Sequence, residues 1–211
     1  MRVLVPGRRN VRGGLPGVRI LALAAGEGAA AVDYRCYRHH LQALLSTRSS
    51  QRPVLKSPFH LGHLDDLLAA LPDALVVHTH REPTTALASW CSLAATISRG
   101  TVASLDLAML GQAWLDFWAR AAERAVTVRA TTNARRFHDV RYTDLVADPL
   151  REVRRLYLAA DLELTPSAQQ RMERWLDRHR RRRRVQHRYA LGQFDLDPAT
   201  VEARFRAYQS L

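Results

Sequence analysis

Apolar positions along the chain switch between two periods, and each switch marks an element. Residues 33–46, "DYRCYRHHLQALLS", place Tyr34, Tyr37, Leu41, Leu44 and Leu45 on one helical stripe. "PVLK" at 53–56 reads as a short apolar strand ending at Lys56. Ser57 and Pro58 read as a helix cap and first residue, because serine can accept from a free N–H and proline has none to lose there. That helix runs through "FHLGHLDDLLAAL" to Pro72. "ALVVHTH" predicts a second buried strand ending near His80, and a helix follows from about Pro83. "LDLAMLGQAWLDFWARAAERAV" predicts a long helix with Leu110, Trp114, Phe117 and Trp118 on one side. "RFHDVRY" predicts a third strand. Asp148-Pro149, Thr165-Pro166 and Asp197-Pro198 each pair a capping residue with proline and open three further helices.

Strands separated by helices imply a parallel sheet covered by helices, with ligands at the C-terminal strand ends. Residues 1–31 are rich in Arg, Gly and Pro, carry neither period and are expected to be poorly ordered, with the folded domain over 32–211. No apolar run approaches 18 residues, so no transmembrane helix is expected. The two cysteines, Cys36 and Cys91, make neither a metal spacing nor a disulfide framework, and a cytoplasmic setting is the expectation.

Charge changes the picture. The net charge is +12, with 32 basic residues, and Lys56 is the one lysine among them. Such a balance fits an anionic partner, and an Ala- and Arg-heavy chain also fits GC-rich codon usage. Lys56 stands before a helix start, where free N–H groups and the helix dipole favour an anion. A compact, mobile ammonium there can follow a phosphate or a leaving oxyanion in a way a guanidinium fork cannot. Arg81 follows the "VVHTH" strand, and Ser89, two helical turns on, can add a hydroxyl to the same anion. His60, one turn past Lys56, has the side chain suited to a general base near neutral pH. His78 and His80 alternate on a strand without an acidic or Cys partner at ligand spacing, so they read as structural and no metal is expected. The run Arg180 to Arg184 is either a solvated helix end or a clamp for phosphate or nucleic acid. Without aromatic motifs of the RNA-binding kind, nucleic acid is the weaker of these partners. No glycine-rich phosphate loop of either common kind is present.

Three blocks, in order, resemble one family. "VLKSPFHLGHLDDLLAALPDALVVHTHREPTTALASWCSL", "HDVRYTDLVADPLREVRRLY" and "HRYALGQFDLDPATVEARFRAY" look like the central, following and C-terminal blocks of bacterial sulfotransferases that use 3′-phosphoadenosine 5′-phosphosulfate (PAPS). The resemblance covers roughly Asp33 to Leu211. It implies an α/β fold, here a partial P-loop-like parallel sheet flanked by helices. It implies transfer of a sulfuryl group from PAPS to an acceptor hydroxyl or amine, with adenosine 3′,5′-bisphosphate as the product nucleotide. Lys56 matches the lysine that faces the sulfuryl group and bridging oxygen, and Arg81 and Ser89 match the pair that binds the 3′-phosphate. Tyr142 matches a position near the donor nucleotide, and Arg183, Arg184 and His187 fall in a basic loop that closes over the 3′-phosphate. The sequence departs from the family in three ways. It lacks the Arg-x-Gly-Thr-Thr-type loop that wraps the 5′-phosphosulfate, it has Val185 where glycine is common, and it has Asp195 for the glycine of Phe-Gly-Leu. The expectation is therefore a C-terminal portion of a sulfotransferase. A non-catalytic binder of 3′-phosphoadenosine and an Arg-rich nucleic-acid binder are the alternatives.

Overall fold

The computed structural model describes residues 29–46, 53–100, 104–180 and 189–211. The expectations for residues 1–28 and for Arg183, Arg184 and His187 lie outside the described residues. Helix α1 spans Ala29–Leu45 and starts four residues before the predicted stripe. A 3-10 turn, Pro58–His63, leads into α2, Leu64–Ala70. Strand β1, Val76–His80, precedes α3, Pro83–Ser98, and α4, Leu107–Thr131. Strand β2, Phe137–Arg141, runs directly into α5, Tyr142–Ala147. Helices α6, Pro149–Ala159, α7, Pro166–Arg180, and α8, Pro198–Gln209, complete the described chain, with a 3-10 turn at Leu191–Phe194 before α8.

The predicted caps form. Ser57 Oγ accepts from the Phe59 N–H at 3.3 Å, Asp148 from Arg151 at 3.0 Å, and Asp197 from Thr200 at 2.8 Å. The first of them starts a 3-10 turn rather than an α-helix. The predicted strand at Pro53–Lys56 does not form. No described strand pairs with it, and Val54 is 95% exposed. A strand is held by its ladder and its buried face, and this segment has neither.

The described sheet has two parallel strands, with Val76 opposite Phe137 and His80 opposite Arg141. One face carries His78 and Asp139, across which α4 and α8 lay Arg129 and Tyr208. Arg136 braces the approach to β1, donating to the carbonyls of Ala74 at 3.0 Å and Leu71 at 3.1 Å.

The main core joins α3, α4, the C-terminal 3-10 turn and α8. Leu87, Cys91, Leu115, Phe194, Val201 and Phe205 are all buried in it. Trp114 lies on the face of α4 that the sequence predicts. Small residues, Gly111, Ala119, Ala122 and Ala125, are buried in that helix alongside Leu115. A Cβ at Gly111 would stand 2.5 Å from the Phe194 carbonyl oxygen, so only glycine admits the turn. Burial of Cys91 in this core pushes its thiol up to about 12. The turn ends at Asp195, whose φ of 52° and ψ of 36° are left-handed. That backbone accounts for the glycine the resemblance puts here, since a Cβ is disfavoured in this region.

Candidate functional site

The end of β1 gathers charge because the strand stops at His80 and α3 begins at Pro83, leaving Arg81 on the exposed link between them. The end of β2 lies alongside, in parallel register, so Tyr142 opens α5 next to Arg81. The Arg81 guanidinium carbon sits 4.7 Å from the centroid of the Tyr142 ring. This cation–π contact attracts the guanidinium to the ring face. From the other side Tyr189, just before the C-terminal turn, brings its hydroxyl to Ser89 and Arg81. Its phenol is held below the usual range by the hydrogen bond with Ser89 first and that with Arg81 second. Arg81 thus touches Tyr142, and Tyr189 links it to Ser89. Tyr189 is the member that sequence reasoning missed. It lay in the quoted block "HRYALGQF", but nothing in its spacing links it to Ser89, one hundred residues earlier.

Lys56 is exposed, in the extended segment before the first 3-10 turn. No hydrogen bond or ion pair joins it to Arg81 or Ser89 among the described residues. His60 sits in that turn, with its Nδ1 2.7 Å from the Tyr34 hydroxyl of α1. Its Nε2 is buried and has no hydrogen-bond partner among the described residues. Burial and then the neighbouring His63 lower the pKa of His60, so the neutral ring is favoured.

Behind Arg81 lies a second polar group. His78 and His80 stand on the inner face of the sheet with ring centroids 4.3 Å apart. The acidic partner that the sequence spacing lacked comes from the adjacent strand. Asp139 Oδ1 is 2.6 Å from His80 Nε2. These three residues offer donor atoms within 4.8 Å of one another. A cation would have to displace Arg129, which already donates to both oxygens of Asp139 at 2.9 and 2.7 Å.

Residues 19–166 match the profile described as the sulfotransferase family. This chain belongs to that family. Sulfotransferase STF9 from Mycobacterium avium superposes with a TM-score of 0.78 at 28% identity, over 87% of this chain and 47% of STF9. Sulfotransferase STF1 from Mycobacterium tuberculosis H37Rv superposes with a TM-score of 0.67 at 36% identity, over 83% of this chain and 45% of STF1. The chain thus spans a little under half the length of these solved sulfotransferases. No curated protein matches it. The sulfotransferase fold is the P-loop-like α/β class, and the helix-rich described region with its small parallel sheet is a part of it. No described helix is long and apolar enough to cross a membrane.

Proposed function

We propose that this sulfotransferase-family chain binds the 3′-phosphate of PAPS at the ends of β1 and β2 and takes part in sulfuryl transfer to an acceptor hydroxyl or amine. One observation carries the reading. Tyr189 hydrogen-bonds both Ser89 of α3 and the exposed Arg81 at the end of β1, and the Arg81 guanidinium lies 4.7 Å from the Tyr142 ring centroid. Together they offer a guanidinium and two hydroxyls, which is a donor set suited to a phosphate dianion. Arg183 and Arg184 bring two guanidinium groups and His187 an imidazole in the adjoining stretch of sequence, and all three are assigned to the same phosphate. Adenosine 3′,5′-bisphosphate is accordingly the product ligand.

Transfer forms a bond from the acceptor oxygen or nitrogen to sulfur and breaks the bond from sulfur to the bridging oxygen of the 5′-phosphate. The electron pair of that bond leaves with the nucleotide. Lys56 is assigned to neutralise the charge gathering on the bridging oxygen, and His60 to take the acceptor proton.

The test is calorimetric titration with adenosine 3′,5′-bisphosphate, using adenosine 5′-monophosphate as the comparison. Arg81→Ala is expected to weaken bisphosphate binding by about 1.5–3 kcal/mol, the worth of a charge-assisted hydrogen bond. It should leave the monophosphate unaffected. Equal bisphosphate affinity in the two proteins would remove Arg81 from the site. In a transfer assay with labelled PAPS, Lys56→Arg is expected to lose most turnover that the unaltered chain shows. Binding without any transfer by the unaltered chain would leave the non-catalytic nucleotide binder as the reading.

A further inference from the structure

The two histidines behind Arg81 belong to a closed ring of hydrogen bonds, and its proton positions can be worked out by accounting alone. Arg129 can only donate, and its guanidinium lies 3.2 Å from His78 Nδ1. That nitrogen is therefore bare, and the single proton of neutral His78 sits on Nε2. This N–H donates to the Tyr208 oxygen at 3.0 Å. The Tyr208 O–H is then left to donate to His80 Nδ1 at 3.1 Å. His80 in turn carries its proton on Nε2 and donates to Asp139 at 2.6 Å. Asp139 also accepts from Arg129, which closes the ring.

Every donor finds an acceptor in this one arrangement. A second proton on His80 would aim two N–H groups at the Tyr208 oxygen and leave its O–H without an acceptor. The electrostatics agree with the accounting. Burial, then His80 and Arg129, lower His78 to about 4, against a smaller opposing pull from Asp139. Burial alone would raise Asp139, but hydrogen bonds from Arg129 and His80 outweigh it and hold the carboxyl at about 2. Burial raises the Tyr208 phenol to about 12, so it keeps its proton.

The ring ties together four elements: β1, β2, α4 and α8. His80 is the last residue of β1 and the residue before Arg81, and Asp139 lies three residues before Tyr142. Short parallel strands gain little from their own ladder, so side chains must fix where the strand ends lie. We infer that Tyr208 is a positioning residue for the anion site, its hydroxyl fixing through His80 and Asp139 the strand ends that carry Arg81 and Tyr142. The inference rests on the reading of Arg81 as a phosphate ligand. It adds a control from the C-terminal helix, which does not itself touch the anion.

The experiment combines nitrogen-15 spectroscopy of the histidine rings with bisphosphate titration. In the unaltered protein at neutral pH, His78 and His80 should both show a protonated Nε2 and a bare Nδ1. Tyr208→Phe keeps the ring volume and removes one oxygen, leaving His78 Nε2–H and His80 Nδ1 buried without partners. It should weaken adenosine 3′,5′-bisphosphate binding about five- to tenfold, since part of the cost of the two lost hydrogen bonds reaches the site. It should also shift the Arg81 Nε–H resonance of the ligand-free protein. The indole N–H resonances of Trp114 and Trp118 should stay in place, which a general loosening of the fold would not permit. An unmoved Arg81 resonance with unchanged affinity would overturn the inference, provided Arg81→Ala does lose binding. If Arg81→Ala binds normally, the phosphate reading fails by itself, and the Arg81 resonance in Tyr208→Phe still decides the positioning role. Should Tyr208→Phe fail to fold, the unaltered protein remains decisive, because a proton on Nδ1 of either histidine breaks the ring on which the inference stands.

Discussion

Gly111→Ala sets two physical effects against each other, and the geometry decides between them. Position 111 lies inside α4, where alanine is favoured over glycine by about 1 kcal/mol on helix propensity alone. Against this, the new Cβ would meet the Phe194 carbonyl oxygen at 2.5 Å, Phe194 Cβ at 2.7 Å and Leu196 Cγ at 3.3 Å. Carbon contacts are comfortable at about 3.5–4.0 Å, so the nearest atoms must move by about 1 Å. The nearest obstacle is a backbone carbonyl, which cannot rotate away as a side-chain tip would. Overpacking of this kind costs about 1–3 kcal/mol, and a backbone obstacle argues for the upper half of that range. The net expectation is a loss of about 1–2 kcal/mol, or a fall in Tm of about 2–8 °C for a chain of this size. Because the displaced turn begins two residues after Tyr189, bisphosphate affinity should fall as well. Thermal melting followed by circular dichroism measures the first effect and calorimetry the second. A rise in Tm would refute the reasoning, since propensity would then have won and the turn would have moved freely.

Two further outcomes are expected. Asp195→Gly should stabilise the chain by about 1 kcal/mol, because Asp195 holds a left-handed φ of 52° that glycine adopts without a Cβ penalty; a lower denaturation midpoint in urea would show that the Asp195 side chain contributes more than its backbone costs. Stability should fall as pH drops from about 6.5 to about 4, because the folded state keeps His78 neutral there while the unfolded chain binds a proton. The loss attributable to His78 is about 3 kcal/mol across that window, and it should be absent in a His78→Gln variant studied by urea titration at each pH.

Local chemistry made much of this protein legible from its sequence. Serine or aspartate followed by proline marks a helix start wherever it occurs, since the cap and the missing N–H act within one turn, and Ser57, Asp148 and Asp197 all behaved so. Arg81 could be placed at a strand end because "ALVVHTH" has strand character and Pro83 cannot continue it, although the strand is not the buried one expected: only His78 in it is buried and Val77 is exposed. Its companion Tyr142 was found through family resemblance, since no local rule pairs it with Arg81. The strand expected at Pro53–Lys56 failed for a related reason. Apolar character over four residues is a local property, but a strand also needs a neighbour, and none of the described strands lies beside it.

What the sequence determined by itself is most of the long helices, strands β1 and β2, several caps, the cationic balance and the family resemblance, but neither α5 nor the 3-10 turns. What only the tertiary structure decided is which distant groups meet. His80 and Asp139 are 59 residues apart, His78 and Tyr208 are 130 apart, and Tyr189 reaches back to Ser89 across the whole of α4 and the sheet. A parallel pairing brings two strand ends together only through a long crossover, so the residues at those ends carry no mutual spacing that a reader of the chain could recognise. The same holds for Gly111, an unremarkable helix-interior glycine until the Phe194 carbonyl is seen against it. Hydrogen bonds and close packing depend on distances of a few ångström in space, and the covalent chain fixes such distances only between near neighbours.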